Sequence, residues 1–138
     1  ALNATDLSAG SAAWQAIDGS NGNLVAPGSA NTVKYATSGT TDYTLVRASG
    51  SSFEGMTNPG AVNPVGAAAL ERLKGLGLYP VAGSLGGDGF YLSTSGERLP
   101  FRGGGWISGA LSGVFALDLG SARGGVNPVF GARPAFVS

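Results

Sequence analysis

From residue 86 onward the chain offers three carboxylates, Asp88, Glu97 and Asp118, and four arginines, Arg98, Arg102, Arg123 and Arg133. Two carboxylates flanking a glycosidic bond would be the signature of a depolymerase. Nothing in the spacing brings a pair together. Asp88 lies in the turn-forming stretch Gly86-Gly87-Asp88-Gly89, and Glu97 reads as a solvated strand end. The sequence contains no histidine, which excludes Ser-His-Asp hydrolysis, and no cysteine, which excludes disulfides and thiolate metal sites. Calcium needs several oxygen ligands close together, and one Gly-Gly-Asp-Gly unit among sparse acids reads as a turn. The expectation is a protein without catalysis, metal or cofactor.

What remains is a pattern of another kind. Arg102-Gly103-Gly104-Gly105-Trp106 asks for close backbone passage and special torsions, and Trp106 adds a large apolar body whose N–H seeks a partner. Val114-Phe115-Ala116-Leu117 is a short continuous apolar run, as expected of a strand buried on both faces. Arg123 and Arg133 sit beside glycines in an uncharged setting and read as buried structural forks to backbone carbonyls.

These residues need elements to hold them. The chain has 138 residues, 25 of them glycine without a collagen-like period, enough for one ordinary domain. Residues 1–13 read as a leader or linker, the opening of a C-terminal piece of a longer protein. Residues 14–60 form a β-rich segment and 61–138 the core, or 14–138 one continuous domain. Trp14 should anchor the first segment. Thr32–Ala36 and Tyr43–Arg47 are rich in β-branched and aromatic residues, with a polar connection that predicts a hairpin. Ala67–Leu76 predicts a helix, with Leu70, Leu73 and Leu76 as its apolar stripe, Asn63 as N-cap before Pro64, and Gly75 and Gly77 as its stop. Phe90-Tyr91-Leu92 predicts a strand. One helix, short strands and glycine-rich loops make an α+β domain. Eight basic and eight acidic residues cancel without a basic stripe, which argues against nucleic acid. No apolar run approaches the ~20 residues of a membrane span.

The frame Arg102-Gly103-Gly104-x-Trp106, continued by Gly109-Ala110, Gly113-Val114-Phe115-Ala116-Leu117, Ala122-Arg123 and Gly131-x-Arg133-Pro134-Ala135-Phe136, resembles the C-terminal domain of phage and prophage tail-fibre proteins. It also resembles the variable proteins of diversity-generating retroelements, which present a binding face on a C-type lectin-like fold. The likeness is specific over residues 99–136, looser through Leu78-Tyr79-Pro80 and Gly87–Tyr91, and slight over 1–60.

The resemblance implies a scaffold of Arg102, Gly103, Gly104, Trp106, Phe115, Arg123 and Arg133. It implies a displayed, receptor-binding set of Gly105, Ile107, Ser108, Leu111, Asp118, Gly120 and Ser121. The loop Gly124, Gly125, Val126, Asn127, Pro128, Val129 and Phe130 completes that set. Its role would be adhesion to a bacterial surface receptor, at the distal end of a virion tail fibre, as a homotrimer. Family members often display Asn, Ser and Tyr, whereas this chain places Ile107, Leu111, Val126, Val129 and Phe130 there. An apolar patch rimmed by Asp118, Ser108, Ser121 and Asn127 favours a protein receptor over a glycan. The same residues would also suit a trimerisation module without receptor contact. Every displayed residue type is reachable from an asparagine codon through its first two bases, the trace adenine-directed diversification leaves. So many residue types meet that condition that it does not establish such a history.

Overall fold

The computed structural model describes residues 15–47, 52–60, 62–96, 98–122 and 124–128. Trp14, Glu97, Arg123, Val129, Phe130, Arg133 and the closing Gly131–Phe136 motif therefore lie outside the described residues. The architecture is mixed α and β, in the order β1 (Ala16–Ile17), β2 (Leu24–Val25), β3 (Lys34–Ala36), β4 (Thr44–Val46), α1 (Ala67–Gly75), β5 (Phe90–Leu92), β6 (Phe101–Arg102), a 3-10 turn (Gly109–Leu111) and β7 (Leu117–Leu119). The strands form three small sheets: β1 with β2, β3 with β4, and β5-β7-β6 with β7 in the middle.

The predicted hairpin is not one. β3 and β4 pair in parallel, with Tyr35 opposite Leu45. A short polar connection ordinarily favours antiparallel return. Here the chain doubles back before re-entering the sheet, and Tyr43, at φ 52, takes the left-handed conformation that turns it. The Asp42 carboxylate accepts both the backbone N–H of Asn63 at 3.0 Å and its side-chain amide at 2.9 Å, while the Asn63 carbonyl accepts from Tyr43 N at 2.8 Å.

That arrangement also corrects the helix start. Asn63 is committed to Asp42, and the N-cap is Gly66, which makes no side-chain capping bond. The approach is held instead by Asn58, whose amide brackets Val65: Oδ1 accepts from Val65 N and Nδ2 donates to Val65 O, both at 2.8 Å. Strong helix formers then carry α1, with Arg72 and Lys74 in its last turn, where cations suit the carbonyl end. The helix stops one residue earlier than expected, at Gly75, with Leu76 as C-cap. Gly77, at φ 70, lets Leu78 N reach Leu73 O and Gly77 N reach Lys74 O, a Schellman closure. Ala69 and Leu73 face the core, Leu70 packs at its edge, and Leu76 is exposed, so the expected stripe is shifted by this early stop.

Phe90 sits at the centre of the core. Tyr35 and Phe53 both meet its ring edge-on, at centroid distances of 6.3 and 6.1 Å. Around them pack Leu45, Leu73, Leu117 and Leu119, so the apolar interior draws on residues both before and after position 60. The buried Tyr35 hydroxyl donates to Leu78 O at 2.7 Å, and burial raises its pKa above the ordinary tyrosine value.

Candidate binding groove

The third sheet positions the site. In its register Tyr91 lies opposite Asp118 on one side and Phe101 opposite Asp118 on the other. Side chains alternate along strands, so Phe90, Leu117 and Leu119 fill the core while Tyr91, Asp118 and Phe101 form one row across the opposite face. Phe90-Tyr91-Leu92, read from sequence as a strand, thus supplies both a core centre and a groove wall.

A long loop from Gly103 to Ala116 folds over that row. Gly103 and Gly104 take φ 95 and 70, and a Cβ on Gly104 would stand 2.7 Å from Ser112 Cα, so this position admits glycine alone without rearrangement. Ser112 Oγ donates to Gly105 O at 2.6 Å, closing the loop across its own base. Gly89 N donates to Leu111 O at 2.8 Å, and Asp88 Oδ2 accepts from Phe115 N at 2.9 Å. Asp88 is therefore more than a turn residue: it is a buried carboxylate that fixes the end of the loop. The turn pattern in the sequence gives its position but not this partner.

Between loop and sheet lies a concavity of about 510 Å³. It brings together Gly105, Ile107, Ser108, Leu111 and Asp118 from the expected displayed set, and adds Tyr91 and Phe101, which sequence reasoning missed. They stand beside Asp118 only through the pairing of β5 and β6 with β7, so no local signal in the sequence marks them. Gly120, Ser121, Gly124, Gly125, Val126 and Asn127 do not line it. Of these, Val126 is 99 % exposed.

Several scaffold expectations need correction. Trp106 is 82 % exposed, and Val114 is 79 % exposed. The expected strand over Val114–Leu117 begins only at Leu117; Ala116 and Leu117 are buried, while Phe115 is partly exposed. The reason is the tie between Phe115 N and Asp88, which spends that N–H on a carboxylate and holds residues 113–115 as a turn.

Arg102 does brace the site. Its Nη1 donates to Phe115 O at 2.8 Å and its guanidinium lies 4.8 Å from the Phe53 ring centroid. Partial withdrawal from water lowers its pKa, with the Tyr35 oxygen a smaller opposing influence. Arg98 Nη1 donates to Gly120 O at 3.0 Å and Nη2 to Ser95 O. Both guanidinium groups are thus directed at backbone carbonyls.

Among the described residues no cluster of acidic side chains could hold a metal ion, and no helix is long and apolar enough to cross a membrane. Comparison with protein-family models, with curated proteins and with solved structures finds no match to this chain.

Proposed function

We propose that this chain is a receptor-binding tip of a phage or prophage tail fibre, with a C-type lectin-like fold and trimeric assembly. Adhesion to a bacterial surface, without catalysis, would follow from side chains held on a rigid loop and from avidity between copies. The observation that carries this reading is the exposure of Trp106, Ile107 and Val114 on a loop tied to the sheet by backbone hydrogen bonds and by Asp88. Large apolar side chains left in water on an ordered loop are the usual mark of a surface that meets a partner. The resemblance of the 99–136 frame supplies the biological setting.

The test is binding of the labelled domain to a panel of bacterial strains, with and without protease treatment of the cells. Strain-selective binding that protease abolishes is the expected result. Selective binding that survives protease would transfer the target to a glycan. Absence of binding by a folded trimer would replace adhesion with an assembly role. Leu111→Asp and Phe130→Asp separate the two directly, since an interface role predicts loss of trimers and a receptor role predicts intact trimers that no longer adsorb.

A further inference from the structure

Resting on the reading of this face as a binding surface, the geometry points to the kind of group it takes. We propose that the groove accepts a cationic side chain, lysine or arginine, presented by a loop of a protein partner. Asp118 lies at the middle of the row, with an aromatic residue in register on each side, Tyr91 and Phe101. A carboxylate between two aromatic neighbours suits a cation, which gains ionic attraction from the one and quadrupole attraction from the others. Ile107 and Leu111 also line the groove and provide apolar wall for the methylene stem of such a side chain.

The charge balance of the groove supports the same occupant. Asp118 is half-buried, its Oδ1 accepts from Gly120 N at 2.6 Å, and its Oδ2 accepts no hydrogen bond among the described residues. Among the same residues the single ion pair is Lys74 with Glu71, both within α1. Arg102 also lines the groove, but its guanidinium turns to Phe53 and Phe115 O, and Arg98 is held by the carbonyls of Ser95 and Gly120. Among the described residues, then, no cation is paired with the Asp118 carboxylate.

The experiment uses the whole chain and four probes followed by NMR titration: N-acetyl-lysine amide, N-acetyl-arginine amide, N-acetyl-norleucine amide and glucosamine. The lysine and arginine probes should bind about tenfold more tightly than the uncharged norleucine probe. Asp118→Asn keeps the acceptor for Gly120 N, so it should fold normally and erase that preference. Tyr91→Leu keeps the carboxylate and should reduce the preference by a few-fold. Equal binding of norleucine, an unchanged preference in Asp118→Asn, or tighter binding of glucosamine than of lysine would each overturn the proposal. The same proteins are tested on cells. Strain binding that Asp118→Asn leaves intact would sink the cation groove and spare adhesion. A lysine preference in a chain that binds no strain would do the reverse.

Discussion

The Asp88 carboxylate and the Phe115 backbone N–H stand 2.9 Å apart and join the turn before β5 to the end of the exposed loop. Gly113 packs so closely on the same carboxylate that any Cβ there would collide with both oxygens. A hydrogen bond to a charged acceptor contributes about 2 kcal/mol net. Asp88→Ala should therefore lower the melting temperature by roughly 5–10 °C. Gly113→Ala should destabilise by a similar amount, because it displaces the carboxylate without deleting it. Thermal unfolding of both variants checks this, and melting at the parental temperature would show that the tie contributes nothing.

Trp106 gives the opposite expectation. With most of its surface in water, Trp106→Ala should leave stability within about 0.5 kcal/mol of the parent. Strain binding should fall at least tenfold, as for an aromatic anchor at an interface (about 2 kcal/mol). Leu117→Ala, at a fully buried position, is the control and should cost about 2–5 kcal/mol. Loss of folding in Trp106→Ala, or undiminished adsorption, would contradict the assignment.

Alkaline pH probes the core. The folded-state pKa of Tyr35 is raised, chiefly by desolvation, so its hydroxyl stays protonated when the unfolded chain ionises. The unfolded state then binds fewer protons, and stability should fall as pH rises through the ordinary tyrosine value of 10.0. Tyr35→Phe should give up about 1 kcal/mol at neutral pH, from the lost bond to Leu78 O, and flatten this alkaline decline. Urea midpoints measured on both proteins from neutral to alkaline pH provide the comparison.

Acid pH probes the Asp42–Asn63 link. The Asn63 side chain first, and its backbone N–H second, hold the Asp42 pKa below 3.8. A depressed folded-state pKa contributes stability above the ordinary value and loses it as pH falls through the depressed one. Asp42→Asn should remove the small contribution that this exposed carboxylate makes near neutrality and so flatten the acid limb of the stability profile, with the two proteins converging once pH is below the depressed pKa. An acid limb identical to the parent's would mean that the link is not maintained in solution.

Sequence legibility followed the range of the forces involved. Ala67–Gly75 and Phe90–Leu92 were readable because helix propensity, a glycine stop and apolar character act locally. The parallel pairing of β3 with β4 was not, since it depends on the φ of Tyr43 and a carboxylate met only at Asn63. Asn63 itself satisfied the rule for an N-cap, but its backbone N–H and side-chain amide are bound by a distant acid and the helix begins only after Gly66. Trp106 failed for a related reason: large aromatic residues are usually buried, and only the fold shows that this one lies on the exposed side of its loop. Asp118 was singled out, yet its aromatic neighbours follow from strand register, which a single sequence does not specify.

The edge-on packing of Tyr35 and Phe53 against Phe90 also sets the order in which the molecule can assemble. Those three rings come from widely separated stretches of chain, and β7 must enter between β5 and β6 before the sheet beneath them is complete. Long loops have to close before such contacts repay their entropy, so the folding barrier should be dominated by topology. Refolding should accordingly be slow for a domain of this size, with mutations at Phe90 changing the folding rate as well as the unfolding rate. During synthesis the apolar centre would stay open until Leu117–Leu119 had left the ribosome, a window in which half-made chains are exposed to one another.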